Sequence, residues 1–342
     1  MSLNRDSASV KHLVFGTGLT GGFLLGALLH KKADVHAVGR KNIAQNWSQG
    51  LSISDYLGHT ALVPAPRFIT KPSESYDIIW LTVKCTATAN VIDELRPFVG
   101  PSTVIVCCQN GFGSDAPIKA AFAQNPVQTA IVGFNVAEVS PAHLSRATEG
   151  DFVIAEDLAK QFNLNFGSEL LPLHLSPNML ASRWAKLQLN LANAVNALAD
   201  VPVKAMLENR SYRLVIAQIM REFLNVAKAK NIDLPKVAAV PGSWMPALMS
   251  LPNWLYLRIA QSTLAIDPSA RTSMWWDLKN NRATEIDYLN GAVIEAGRVN
   301  GVATTANEAL VALVKAVETG QAERNWQPDE FKELILASPR KC

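Results

Sequence analysis

His12-Leu13-Val14-Phe15-Gly16-Thr17-Gly18-Leu19-Thr20-Gly21 leads, through Gly22, into Phe23-Leu24-Leu25-Gly26-Ala27-Leu28-Leu29. A short apolar run, a glycine-spaced loop and a longer apolar run read as strand, tight turn and helix. Gly16 allows the turn, Gly18 lets a backbone approach a pyrophosphate, and Gly21 lets the helix lie against the strand. The phosphates of a dinucleotide then meet the positive end of the helix. Gly16, Thr17, Gly18, Leu19, Thr20 and Gly21 are therefore the expected phosphate loop. The glycine spacing alone is a weak signal, and the flanking strand and helix give it weight.

The same stretch imitates a secretory leader, because Lys11 precedes an uncharged run as far as Leu29. Five glycines within it weaken an apolar signal helix, and Lys31, Lys32 and Asp34 follow in place of a small-residue cleavage site. No other segment is long and apolar enough to span a bilayer. The chain has 342 residues, 49% of them hydrophobic, which suffices for two domains with separate cores. Its net charge is only +3 and its basic residues are scattered, so neither nucleic acid nor a membrane is an expected partner. Four cysteines show no metal-ligand spacing. Cys107 and Cys108 lie in an apolar run, and Cys85, beside Lys84, reads as packing rather than as a reactive thiol. The six histidines are dispersed. A cytoplasmic protein without a structural metal is expected.

The first half alternates apolar runs with helical patterns. Lys11 to Phe15, Val35 to Val38, Ile78 to Val83, Thr103 to Cys108 and Ala130 to Asn135 are near-continuous apolar runs. Such strands, separated by helices, form a parallel sheet covered on both faces. His143 to Ala155 alternates, as antiparallel edge strands do, and a further short strand is expected near Leu171 to Leu175. From Pro177 onward apolar residues recur at helical spacing in Leu180 to Leu198, Tyr212 to Ala229, Trp254 to Leu264, Thr284 to Val299 and Ala306 to Glu318. The polar stretch Gln321 to Cys342 reads as partly frayed. The expected architecture is α/β: a Rossmann-type, doubly wound NADP-binding domain over residues 1–178, then an all-helical substrate and catalytic domain over residues 179–342.

The second strand decides the cofactor. It ends in Gly39-Arg40-Lys41, where NAD-binding versions of this fold carry an acid for the ribose hydroxyls. No carboxylate there repels a 2′-phosphate, and Arg40 can grip one, which favours NADPH. The pair also reads as an ordinary solvated loop. Asp34 sits at the wrong end of the strand to serve as that acid.

Chemistry is expected at the carboxyl edge of such a sheet. Lys84 closes Leu81-Thr82-Val83-Lys84 there, and Asn110 follows the next strand in Gln109-Asn110-Gly111-Phe112-Gly113. Each also reads as a strand ending in a polar turn. Farther on, Trp184-Ala185-Lys186-Leu187-Gln188-Leu189-Asn190 sets Lys186 and Asn190 four apart, on one face of an apolar helix. Burial disfavours a charged ammonium, so a lysine there becomes a better proton donor near neutral pH. A lysine whose stem snorkels to solvent fits the same spacing. Glu285, in Ala283-Thr284-Glu285-Ile286-Asp287-Tyr288, reads as the acidic opening of a helix capped by Thr284, with Ser273 twelve residues upstream.

Together these segments resemble the ketopantoate reductase (2-dehydropantoate 2-reductase) family, NADPH enzymes of pantothenate synthesis. The matching pieces are the Gly16 to Gly21 loop, Arg40, Leu81 to Lys84, Gln109 to Gly113, Lys186 with Asn190, and Ser273-Met274 through Thr284 to Gly291. They stand in family order along nearly the whole chain. The resemblance implies a two-domain monomer or homodimer that reduces a small 2-keto acid in the cleft between its domains. It makes Lys186 the general acid and Glu285 the group that holds this lysine and contacts the emerging hydroxyl. Asn110 and Asn190 orient the substrate, and Ser273 meets its carboxylate. Lys84 lies beside cofactor and substrate, Asn110 also touches the cofactor, and Arg40 clasps the 2′-phosphate.

The chain departs from this pattern after Asn190. The family's next substrate-facing asparagine, four residues on, is Ala194 here, flanked by Asn193 and Asn196. Leu198 to Lys204 also lacks the usual asparagine, and Trp275-Trp276 adds aromatic bulk beside Ser273. Retained chemistry beside an altered pocket wall leaves another 2-keto acid as an alternative to ketopantoate. A β-hydroxyacid or opine-type dehydrogenase shares the domain plan, but the Ser273 to Gly291 segment speaks against it. A noncatalytic NADPH-binding sensor has no need of Lys186 and Glu285 together.

Overall fold

In the computed structural model, which describes residues 10–72, 75–235, 240–261 and 267–337, β1 (Lys11–Phe15) lies inside a six-stranded parallel sheet. On one side are β2 (Asp34–Val38) and, beyond the hairpin described below, β5 (Arg67–Phe68). On the other are β6 (Ile78–Leu81), β7 (Val104–Cys107) and β8 (Val127–Thr129). The order β5-β2-β1-β6-β7-β8 reverses direction between β1 and β6. That reversal opens the crevice where ligands bind in open α/β sheets.

Alternate residues of these strands face two cores. Leu13, Phe15, Ile79, Leu81, Ile105 and Cys107 join Tyr76, Phe98 and Ile118 on one face. Val14, Ile78, Trp80, Val104 and Val106 meet helix α1 (Leu19–His30) on the other. A second sheet, in the order β10-β11-β3-β4, covers the far side of α1 with β3 (Leu51–Asp55), β4 (Thr60–Val63), β10 (Val136–Ser140) and β11 (His143–Arg146). A Cβ at Gly22 would stand 2.4 Å from Trp47, and one at Gly26 would stand 2.5 Å from Ile53. The glycines thin α1 so that two layers close on it. The run that imitates a leader is thus a strand, a loop and a helix whose residues Gly21 to Leu28 are all buried.

Two strand expectations change, and one hairpin is unexpected. The sheet's last strand is Val127–Thr129 rather than Ala130 to Asn135; the chain leaves the sheet after Thr129, where the Gly133 N–H donates to Asp151 O at 2.8 Å. In a third sheet β9 (Ile131–Val132) pairs antiparallel with β12 (Phe152–Ala155), which pairs parallel with β13 (Leu173–Ser176). His143 to Ala155 is therefore mixed rather than antiparallel, since β11 also runs parallel to β3. The hairpin β3–β4 has a short alternating signal that the longer apolar runs on either side overshadow.

Contacts divide the chain into two compact units, Met1–Met179 and Leu180–Cys342. Short helices α2 (Lys41–Asn46), α3 (Ile92–Leu95), α4 (Ala116–Ala121) and α5 (Glu156–Phe162) complete the first. Helix α6 (Met179–Asn190) leads into the second, followed by α7 (Ala192–Ala199), α8 (Val203–Glu208) and the 20-residue α9 (Arg210–Ala229). Tyr212, Val215, Ile216, Ile219, Met220, Phe223 and Val226 of α9 are buried, a helical stripe that organises the core. Asn209 caps it, its Oδ1 accepting the Ser211 N–H at 2.9 Å. Then come α10 (Met245–Ser250), α11 (Asn253–Ile259), α12 (Ser273–Lys279), α13 (Asn290–Asn300), α14 (Thr305–Glu318) and α15 (Pro328–Leu336).

The helical expectation for Trp254 to Leu264 is met as far as Ile259, and residues 262–264 lie outside the described part. The tail, expected to fray in part, carries α15 and is described as far as residue 337. Phe331 and Ile335 of α15 are buried, Phe331 packs edge-on against Tyr212, and the Tyr212 hydroxyl donates to Trp326 O at 2.7 Å. Two apolar residues four apart dock this short helix, while Leu334 on it stays exposed. Residues 338–342, including Cys342, lie outside the described part.

Candidate active site

The Gly16–Gly21 loop is built by close backbone contact. Gly16 has φ +104°, its N–H donates to Val38 O at 2.9 Å, and its carbonyl accepts the Thr82 hydroxyl at 2.5 Å. A Cβ at Gly21 would lie 2.0 Å from Gly16 O, whereas one at Gly18 would meet nothing within 4 Å. Gly16 and Gly21 thus close the loop, and Gly18 leaves open space over the start of α1. That start has no side-chain cap and no acid in its first turn. Exposed N–H groups without a competing carboxylate suit a pyrophosphate. Thr17 differs from its neighbours: it is buried against Gly39, where a Cβ would sit 1.8 Å from its hydroxyl. Its backbone serves the loop while its side chain packs inward. Leu19 is exposed and Thr20 half-buried.

Arg40, exposed, follows β2 at the same carboxyl edge, because Gly16 is bonded to the last residue of that strand. Lys84, also exposed, stands just beyond β6 and opens a 3₁₀ turn over Cys85–Ala87. Half-buried Asn110 follows β7, with Gly111 at φ +73° turning the chain. The Cys85 thiol, 1% exposed, donates to Asn110 O at 3.2 Å. It is a strut between the turns that carry Lys84 and Asn110, in keeping with its packing role. The sheet edge therefore gathers the loop, Arg40, Lys84 and Asn110 of the first unit.

In the second unit, α6 carries Lys186 and Asn190, both half-buried, among buried Trp184, Ala185, Leu187 and Gln188. Burial holds the Lys186 ammonium below the usual lysine pKa. Glu285 does not open an α-helix. It precedes a 3₁₀ turn over Ile286–Tyr288, and α13 begins only at Asn290. The Thr284 hydroxyl accepts the Ile286 N–H at 3.3 Å, so Thr284 caps this tighter turn.

Side chains that spacing does not reveal hold this segment to α14. Glu318 accepts the Thr284 N–H, Lys315 meets Asp287 at 2.6 Å, and Asn290 Nδ2 donates to Asn307 at 3.0 Å. Buried Glu222 of α9 holds the start of α14 in turn, accepting the N–H groups of Ala306 and Asn307 at 2.8 and 3.0 Å.

Ser273 is exposed at the start of α12, which packs on α7. The preceding Thr272 donates from its hydroxyl to Asn196 Oδ1 at 3.1 Å and caps α12. Asn196, fully buried, also donates to Val201 O at 2.8 Å, so it is a strut rather than a ligand group. Trp275 turns toward Asp200, its indole N–H donating at 2.5 Å beneath the Arg271 guanidinium, while Trp276 stays exposed. Among the described residues no cluster of three or more His, Cys, Asp or Glu side chains suits a metal ion, and no helix is long and apolar enough to cross a membrane.

Comparison with known proteins follows the same division. The model described as ketopantoate reductase PanE/ApbA matches residues 12–157, and its C-terminal counterpart matches residues 178–318. A 2-dehydropantoate 2-reductase of Caulobacter vibrioides is 27% identical over 89% of this chain and 97% of its own length. One from Pyrobaculum aerophilum is 31% identical, covering 70% of this chain and 76% of its own length. The crystal structure of a PanE/ApbA family ketopantoate reductase from Ralstonia eutropha superposes with a TM-score of 0.74 at 25% identity, over 91% of this chain and 99% of that one. Matched through both of its units in chain order, the chain belongs to the ketopantoate reductase family and is an NADP-dependent oxidoreductase acting on a CH–OH group.

Proposed function

We propose that this chain reduces 2-dehydropantoate, or a 2-keto acid of similar size, to the 2-hydroxy acid with NADPH, in the cytoplasm and as a monomer or homodimer. Residues 1–178 hold the cofactor and residues 179–342 the substrate and the proton donor. The observation that carries this reading is Lys186, a half-buried ammonium on an apolar helix whose pKa burial lowers. A lysine so lowered gives up its proton more readily than a solvated one, and reduction of a carbonyl requires such a donor.

The first unit fits the cofactor. Open space at Gly18, an uncapped helix start and a cation at position 40 match a pyrophosphate and a 2′-phosphate. Gly16, Thr17, Gly18, Leu19, Thr20, Gly21, Arg40, Lys84 and Asn110 would hold it. NADPH, when bound, supplies the hydride. Lys186 gives its proton to the carbonyl oxygen, and Glu285 orients Lys186 and accepts the new hydroxyl as a hydrogen-bond partner. Asn110 and Asn190 hold the substrate, and Ser273 donates to its carboxylate.

The test is NADPH oxidation against a panel of 2-keto acids, repeated with NADH. Turnover with 2-dehydropantoate and preference for NADPH are expected. Tight NADPH binding without turnover of any keto acid would favour a sensor instead.

A further inference from the structure

On the reading that Ser273 meets the substrate carboxylate, we infer that Arg324 is a positioning residue for the reaction, holding Ser273 in place through Asp200 and Trp275. Arg324 lies past the last family-matched residue, 318, in the segment between α14 and α15. Its side chain is 19% exposed, meets Asp200 Oδ1 at 3.5 Å and places the guanidinium 5.9 Å from the centre of the Trp275 ring. The same Oδ1 accepts the Trp275 indole N–H at 2.5 Å. Arg271 covers that ring as well, 4.7 Å from its centre. One carboxylate and two guanidiniums thus fix an indole two residues beyond Ser273.

These groups meet at the carboxyl end of α7. Asp200 closes that helix in the left-handed conformation, φ +53°, and the Asn325 N–H donates to Leu198 O at 2.9 Å. A backbone donor and a cation there suit the open carbonyls and the negative end of the helix. Helix α12 has only seven residues, too few to hold a helix without tertiary partners. Two polar pins set it on α7: the Thr272 hydroxyl on Asn196, and the Trp275 indole on Asp200. Ser273 stands between the pins, exposed. Without Arg324 the second pin loses the cation that holds Asp200 and covers the indole. The start of α12 can then turn about Thr272, and the Ser273 hydroxyl leaves its place.

Ser273 is assigned to the carboxylate and not to the reacting carbonyl, so its displacement weakens ground state and transition state alike and shows in KM. Arg324→Ala is expected to raise KM for 2-dehydropantoate about tenfold, with kcat within about twofold and NADPH affinity unchanged. Arg324→Lys keeps the charge without the planar fork and should recover part of the loss; it carries the same comparison if the alanine variant fails to fold. A merely structural role would not depend on Ser273, so the deciding protein combines Arg324→Ala with Ser273→Ala. Its KM should match that of Ser273→Ala alone. An unchanged KM in Arg324→Ala, or losses that multiply in the double variant, would overturn the inference while leaving keto-acid reduction intact. A Ser273→Ala protein with the wild-type KM, or a wild-type protein that reduces no 2-keto acid, would overturn the underlying reading and the inference with it.

Discussion

Glu318 Oε1 accepts the backbone N–H of Thr284 at 2.7 Å, joining the last residue of α14 to the residue just before Glu285. Glu318 is exposed and touches no other part of the proposed chemistry. It nevertheless fixes where Glu285 stands, with Lys315–Asp287 and Asn307–Asn290 as further tethers. Glu318→Ala is expected to lower kcat about tenfold while KM shifts little, since misplacing a catalytic group weakens the transition state more than binding. Glu318→Gln keeps an acceptor oxygen and should restore most of the rate. Equal kcat for all three proteins in steady-state assays would remove Glu318 from that role.

Lys186→Ala should reduce turnover by about 10²–10⁴-fold, the usual worth of a positioned acid. NADPH affinity, followed by nucleotide fluorescence, should hardly change. The wild-type pH profile has a defined direction. A general acid works protonated, so kcat/KM should fall as pH rises through the lowered Lys186 pKa. An alkaline limb that survives in Lys186→Ala would belong to another group.

The two loop glycines should separate fold from binding. Gly21→Ala places a methyl 2.0 Å from Gly16 O, a backbone atom that cannot give way, and should destabilise the protein by about 3 kcal/mol. Gly18→Ala meets only open space, so the melting temperature should hold while NADPH affinity falls about tenfold, for about 1.4 kcal/mol. Calorimetry and NADPH titration of both variants read this out. A Gly18→Ala protein that binds NADPH normally would place the pyrophosphate elsewhere.

His12 sets an acid limit on stability. It is buried in β1 and accepts the Trp80 indole N–H at 3.2 Å. Burial, opposed in part by Asp77, lowers its pKa from 6.5 to about 4. The unfolded chain therefore takes up a proton below pH 6.5 that the folded chain refuses until about pH 4. The stability contributed by neutral His12 is complete above pH 6.5 and is lost as pH falls through that window, by about 3 kcal/mol. Urea unfolding across this range should show the slope, and His12→Gln should flatten it. An identical slope in the variant would assign the loss to other groups.

How far the chain could be read before folding depends on the range of the interactions involved. The β1–α1 unit, the parallel strands β2, β6 and β7, and the amphipathic α9 were legible because each buries its own apolar residues in a local period. The hairpin β3–β4, the departure of the chain after Thr129 and the docking of α15 were not. Each is settled by a partner remote in sequence: β11, Asp151 and Tyr212.

The same distinction runs through the proposed site. Residue types and local spacing alone determined a glycine loop fit for phosphate, a cation at position 40 and a lysine on an apolar helix. Only tertiary structure decided that Thr17 turns inward, that Asn196 and Asp200 are spent as struts, and that Glu285 rides a 3₁₀ turn tied to α14. Spacing states which side chains share a face, because backbone geometry repeats. Whether a polar side chain is engaged or available depends on what long-range packing brings beside it.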